Sequence, residues 1–219
     1  MSEHFTGCGG GVQTKLAVDG PRRARARLVL RACMATLPNP KTVSYRQWLR
    51  MPELPGEEVI DGVIHTTPPN KSVHARIVMR LAAMFLRQLD DAVYDVFSSS
   101  VGLVIRTEPL VCREPDLAIF ERSRAVEIEG YFHSAPELAV EVNSPANTPR
   151  ERKRKLAGYA ELGIPEVWVF SPESRSVQVL LLENGAYRGS SDSAVAILTP
   201  KLLPSVRIEV AAVWPKPGA

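Results

Sequence analysis

Two carboxylates stand where the surrounding sequence is apolar. Glu141 lies inside the run ELAVEV, where strand alternation puts Leu138, Val140 and Val142 on one face and Glu137, Ala139, Glu141 and Asn143 on the other. Asp116 opens a second apolar run, DLAIF, directly behind Pro115. A carboxylate in a buried strand is costly unless it is paired, hydrogen-bonded or bound to a metal. Lys155 follows in a segment of helical spacing, on one flank with Arg152 and Tyr159 and at the border of the apolar stripe Leu156, Tyr159 and Ala160. Two strand-borne carboxylates and a lysine can serve phosphodiester hydrolysis. Mg2+ needs carboxylate oxygens, keeps several waters, orients an attacking water and offsets charge developing on the phosphate, while the lysine stabilises that charge or assists the water. The same residue types also form structural ion pairs, and spacing alone does not choose between the two.

The elements around these residues read as an α/β domain. A short helix, SYRQWLRM, precedes EEVIDGVIH, whose two apolar alternations around Asp61-Gly62 predict a tight hairpin. In NKSVHARIVMRLAAMFLRQLDD, Val73, Ile77, Leu81, Met84 and Phe85 recur at helical spacing behind Asn70, the expected N-cap. Strands are predicted at Val101 to Ile105, Asp116 to Phe120, Glu137 to Val142 and Glu166 to Phe170. Between the last two, Thr148 as N-cap, Pro149 at the first helical position and Glu151 three after the cap start a helix that Gly163 and Pro165 end. Strand, helix and strand make a βαβ-like unit with parallel strands. VQVLLLENGAYRG turns at Asn184-Gly185 as a second hairpin. Ser98-Ser99-Ser100 reads as a loop and Trp168 as core.

The chain has 219 residues, 45% hydrophobic and 23% charged, enough apolar material for one sizeable core and too much for a disordered protein. The expected organisation is a disordered basic extension over residues 1–40, with its Gly9-Gly10-Gly11 run, and a single domain over 41–219. Met34 stands as an alternative start. The net charge is +3. Residues 1–33 hold six bases and two acids, which leaves residues 34–219 at −1, so the folded part is not globally basic. Cys8, Cys33 and Cys112 are odd in number and form no CxxC pair, against a disulfide framework or zinc cluster and in favour of a reducing cytoplasm. No stretch reaches the roughly 20 apolar residues of a membrane span, so a soluble protein without a membrane partner is expected.

EEVIDGVIH, TPPNKSVH, EPDLAIF, PELAVEVNSP and KLAGYAELGIPEVWVFSPESRSVQVL together resemble the Uma-two family of restriction-endonuclease-like proteins, within the PD-(D/E)XK nuclease superfamily. The resemblance runs from about Ser44 to Trp214. It implies a restriction-endonuclease-like mixed central β-sheet flanked by helices, with the two hairpins. It further implies an endodeoxyribonuclease dependent on Mg2+, for which Mn2+ can substitute. By position, Asp116 and Glu141 match the metal-binding carboxylates, Lys155 the catalytic lysine displaced onto the following helix, Glu58 a fourth polar member and His74 a histidine early in the long helix. Two departures stand out. Asn143 occupies the strand position where a standard member of the superfamily keeps its lysine, so Lys155 must reach back across the ~10 Å spacing between packed layers. Glu151 stands where the family usually has aspartate, which the capping box explains without chemistry.

The leading expectation is therefore a nuclease acting on DNA, catalytic through Asp116, Glu141, Lys155 and Glu58. His74, Arg152 and Arg154 are expected at the substrate, and cleavage of both duplex strands would call for a homodimer. Arg150, Arg152, Lys153, Arg154 and Lys155 crowd a helix N-terminus, where cations oppose the dipole. Two alternatives predict different chemistry. One is a nucleic-acid-binding module without turnover, its carboxylates and lysine forming a structural network; the other is a metal-dependent hydrolase of small phosphodiesters.

Overall fold

The helix and hairpin signals between Ser44 and Leu86 translate into three local units. In the computed structural model, which describes residues 42–52, 56–67, 69–98, 101–144, 148–192 and 196–216, Ser44 caps α1 (Tyr45–Trp48) in a capping box with Gln47. β1 (Glu57–Ile60) and β2 (Val63–Thr66) form the expected hairpin, and Asp61 and Gly62 take φ of 51° and 79°, as a type I′ turn requires. α2 (Ser72–Leu86) buries Ile77, Leu81 and Phe85 on one stripe. Its N-cap is Lys71, without a side-chain cap bond, and not the expected Asn70. The first ladder bond runs from Ala75 N to Lys71 O, so the helix begins one residue too late for Asn70 to cap it. The basic extension, Met34, Cys8 and Cys33 lie outside the described residues.

The central segment is a succession of short strands: β3 (Tyr94–Ser98), β4 (Leu103–Thr107), β5 (Leu110–Arg113), β6 (Leu117–Glu121), β7 (Glu127–Ile128), β8 (Tyr131–Phe132) and β9 (Leu138–Val142). Three of the expected strands thus begin one or two residues later than the apolar runs suggested, β4 at Leu103, β6 at Leu117 and β9 at Leu138. Ser98 closes β3 and belongs to no loop; Ser99 and Ser100 lie outside the described residues. α3 (Pro149–Leu162) carries the expected capping box between Thr148 and Glu151, and Gly163 ends it in the left-handed region. β10 (Glu166–Ser171), β11 (Ser176–Glu183) and β12 (Ala186–Asp192) follow, with the second hairpin turning at Asn184-Gly185. β13 (Ile197–Leu198), β14 (Ile208–Glu209) and α4 (Val210–Val213) complete the described chain.

Two six-stranded sheets result. One has the order β12-β11-β10-β9-β6-β3, with β9 and β10 parallel and every other pair antiparallel; the other has the order β2-β1-β5-β4-β8-β7. The first is the mixed central sheet the sequence implies. Of the second, the sequence showed only the first hairpin and β4.

β9 is covered on both faces. Leu138, Val140 and Val142 pack under α2 with Trp168, Phe170 and the C-terminal Val206, Ile208 and Trp214. Ala139 faces Tyr159 of α3, together with Phe120, Val167 and Val169. Each fully buried aliphatic or aromatic side chain here contributes roughly 1.5–3 kcal/mol, so a polar interruption such as Glu141 has to be matched by partners. A third cluster, with Trp48, Val59, Val104, Leu110 and Cys112, seats α1 on the second sheet. All described residues fall in the unit Pro40–Ala219.

Candidate active site

Register brings Glu141 of β9 together with Asp116, the residue directly before β6. β6 and β9 are antiparallel with Leu117 opposite Val140, so one step further the chain sets Asp116 against Glu141. Asp116 Oδ2 accepts a hydrogen bond from Val142 N at 2.7 Å, and His74 Nε2 of α2 approaches the same oxygen at 3.1 Å. His74 is largely buried, and from near the start of α2 it both contacts Asp116 and lines the cleft.

Lys155 spans the gap that Asn143 leaves open. From the second turn of α3 its Nζ lies 2.9 Å from both oxygens of Glu141, 3.2 Å from Glu58 Oε1 and 2.8 Å from Glu114 O. An ammonium has three protons, and these acceptors engage all of them. Asn143 itself donates to Ser171 Oγ at 2.8 Å. Tyr159, one turn further along α3, donates its hydroxyl to Glu141 Oε1 at 2.6 Å. Glu58, from β1, accepts from Arg113 Nη1 at 2.7 Å and from Glu114 N at 3.1 Å. Asp116, Glu141, Lys155, Glu58 and His74 are thus brought into one cluster. Arg152 lines the same cleft, whereas Arg154 turns away to Asp61 at the tip of the first hairpin, at 3.3 Å.

The charges perturb one another in directions that follow from burial. Glu141, whose side chain keeps 12% exposure, is pushed up to about 7 by burial and by Asp116, against the pull of Lys155. Glu114 is likewise raised to about 7, by burial and by the neighbouring Glu58. For Glu58 burial acts upward, but Lys155 and Arg113 together outweigh it and its carboxyl is lowered. Burial alone would lower Lys155; Glu141, Glu58 and Asp116 reverse this and raise it. Burial and Glu141 raise Tyr159 well above the ordinary tyrosine range.

All of these groups except the fully buried Tyr159 line a cleft of about 540 Å³ between the first hairpin, the start of α2 and the start of α3. Among the described residues no three or more His, Cys, Asp or Glu side chains form a ready-made metal cage. The donor set nevertheless fits a hard divalent cation that retains its waters. Asp116 and Glu141 supply carboxylate oxygens to one cleft, and its lining carries five carboxylates against three permanent cations. An ion of charge +2 would balance that excess.

Sequence reasoning missed Arg113, Glu114 and Tyr159 as members of the cluster. An arginine ending the buried run LVCR, directly before Glu114-Pro115-Asp116, was the available signal for the first two. For Tyr159 it was the spacing of four from Lys155.

An α/β scaffold whose mixed sheet sets two carboxylates beside a helix-borne lysine defines a restriction-endonuclease-like protein. The chain belongs to the Uma2 family: residues 43–211 match the model of that family, whose description is "Putative restriction endonuclease". A solved structure from Anabaena variabilis ATCC 29413, described as "a putative nuclease belonging to DUF820", is similar in fold, with a TM-score of 0.64 at 17% identity over 78% of this chain and 97% of that one. No curated protein matches the chain.

Proposed function

We propose that this protein is a divalent-metal-dependent endonuclease that hydrolyses phosphodiester bonds in DNA. The observation that carries the proposal is the convergence of Glu58 of β1, Glu141 of β9, Lys155 of α3 and Asp116, the residue before β6, on one cleft, with Glu141 held directly by Lys155. Asp116 and Glu141 are the residues that would hold Mg2+, or Mn2+ in its place; the ion supplies an oriented water and neutralises charge on the phosphate. His74 and Val142 N fix Oδ2 of Asp116, leaving Oδ1 to the cation. Lys155 holds the carboxylates together in the free protein, and must release one of its four acceptor atoms to meet a water or a phosphate oxygen. Glu58 anchors Lys155 from the opposite side, and Arg113 keeps Glu58 charged. Arg152 at the mouth of the cleft is suited to a backbone phosphate.

No described helix is long and apolar enough to cross a membrane. A cytoplasmic location, with DNA as the substrate, accords with this reading. Cutting both strands of a duplex requires two such sites, which a homodimer would provide.

The test is incubation of the full-length protein with labelled single-stranded, duplex and branched DNA in Mg2+, Mn2+ or EDTA, with Glu141→Ala alongside. Cutting that needs the metal and disappears in the variant is the expected result. Cutting that survives EDTA or the substitution would refute this site. A second reading, a nucleic-acid-binding module without turnover, draws on the full engagement of Lys155 by protein acceptors. It predicts salt-sensitive DNA binding and no cleavage in any metal.

A further inference from the structure

The ring of Tyr159 has an obvious reason to be where it is; its hydroxyl does not. The residue is 0% exposed and packs with Ala139, Val167 and Val169 in the core beneath α3. Phenylalanine would fill that space without burying a polar atom that needs a partner. The hydroxyl ends at 2.6 Å on Oε1 of Glu141, the carboxylate that interrupts β9.

Lys155 and Tyr159 are four residues apart and so share one face of α3. The helix therefore delivers two donors to one carboxylate. Lys155 reaches both oxygens at 2.9 Å, and Tyr159 adds a second donor to Oε1 alone. Oε1 carries two donors and Oε2 one. Gly158, between them, lets α3 lie close to β4: a Cβ there would come within 2.8 Å of Ile105 Cδ1.

We propose that Tyr159 is a positioning residue, which pins Oε1 of Glu141 and thereby fixes Oε2 as the oxygen offered to a divalent cation in the cleft. The proposal rests on the nuclease reading of the same site. Without the hydroxyl, Glu141 keeps its charge partner but loses the contact that distinguishes its two oxygens. Loss of a hydrogen bond that orients a ligating group typically costs about 10–100-fold in metal affinity or activity.

The experiment is Mn2+ titration calorimetry on the full-length wild type and Tyr159→Phe, with cleavage kinetics on labelled DNA and crystal structures of both. The expected result is an Mn2+ Kd weakened by about 10–100-fold, a comparable fall in kcat with KM for DNA unchanged, and a Glu141 side chain rotated from its wild-type orientation. p-Aminophenylalanine at position 159 keeps the ring and a donor, and should restore Mn2+ affinity even if the phenylalanine variant folds poorly. An unchanged Kd with Glu141 unmoved would overturn the proposal, as would a loss that the donor-bearing residue does not repair. If the wild type neither binds Mn2+ nor cuts DNA, the nuclease reading fails on its own. The orientation of Glu141 then decides for Tyr159: rotated in Tyr159→Phe it upholds the positioning role, unmoved it removes it.

Discussion

Lys155 Nζ lies 2.9 Å from each oxygen of Glu141, so a helix-borne ammonium closes over the one carboxylate that β9 carries into the core. The same ammonium is 3.2 Å from Glu58 Oε1, and its own side chain is only 21% exposed. Removing it leaves two largely buried carboxylates facing each other. Lys155→Met is therefore expected to lower unfolding stability by about 3 kcal/mol in urea titration. Adding Glu141→Gln to that variant should restore a large part of the loss, because the uncompensated charge goes with it. Strictly additive losses would show that the two residues are not coupled.

Stability should also fall as pH rises through the weakly acidic range. Glu141 and Glu114 titrate at about 7 in the folded chain against an ordinary 4.5, so between these values the folded state binds more protons than the unfolded one. The destabilisation grows across that window and is complete above it. Glu58 acts in the opposite sense: its lowered carboxyl contributes stability above the ordinary range, which is lost as pH falls through the lowered value. The urea midpoint is thus expected to peak near the low edge of the window, and Glu141→Gln should flatten the decline above it. Mn2+ binding, which needs the ionised carboxylate, should strengthen over the same interval in calorimetry. A decline unaffected by Glu141→Gln would assign the slope to other groups.

Features encoded by neighbouring residues were legible in the sequence, and features encoded by distant pairing were not. Asp61-Gly62 and Asn184-Gly185 dictate their turns through backbone sterics, and Thr148 with Glu151 starts α3 through two local hydrogen bonds. β9 and β10 follow from the βαβ arrangement and are adjacent and parallel. β3 and β5 gave no comparable signal: YDVFS lacks clean alternation, and LVCR is four residues whose every member is buried. At the candidate site, residue types pointed to Asp116, Glu141 and Lys155. Their mutual distances depend on the β6–β9 register and on how closely α3 seats on β4, neither of which any local pattern carries. Arg113 and Glu114 escaped for the same reason, since Glu58 reaches them only through the pairing of β1 with β5.

His74 is expected to matter through Asp116 and not by meeting substrate. Its Nε2 is 3.1 Å from the oxygen that Val142 N also holds, so His74→Ala leaves Asp116 with a single anchor. Cleavage should fall by about 10–100-fold, as for other groups that orient a metal ligand. His74→Gln keeps an amide donor and should recover part of it. Since the ring is buried, a stability loss of about 1–3 kcal/mol is expected for the alanine, which thermal unfolding would separate from the kinetic effect. A fully active His74→Ala would show that one anchor suffices.

The two arginines expected at the substrate should behave differently. Arg154 Nη2 is 3.3 Å from Asp61 Oδ2, and Arg106 Nη2 is 3.3 Å from Asp61 Oδ1, so both tie down the hairpin tip. These pairs are about half exposed, which limits each to less than about 1 kcal/mol and makes it sensitive to salt. Arg152, one turn into α3, instead lines the cleft that holds Asp116 and Glu141. If a phosphate backbone enters that cleft, Arg152→Ala should weaken DNA binding and reduce the dependence of log K on log salt by about one unit, with Arg154→Ala leaving that slope unchanged. Binding isotherms at a series of salt concentrations measure both. The reverse pattern would place the DNA along the hairpin tip, where Asp61 would have to release Arg154 before a phosphate could take its place.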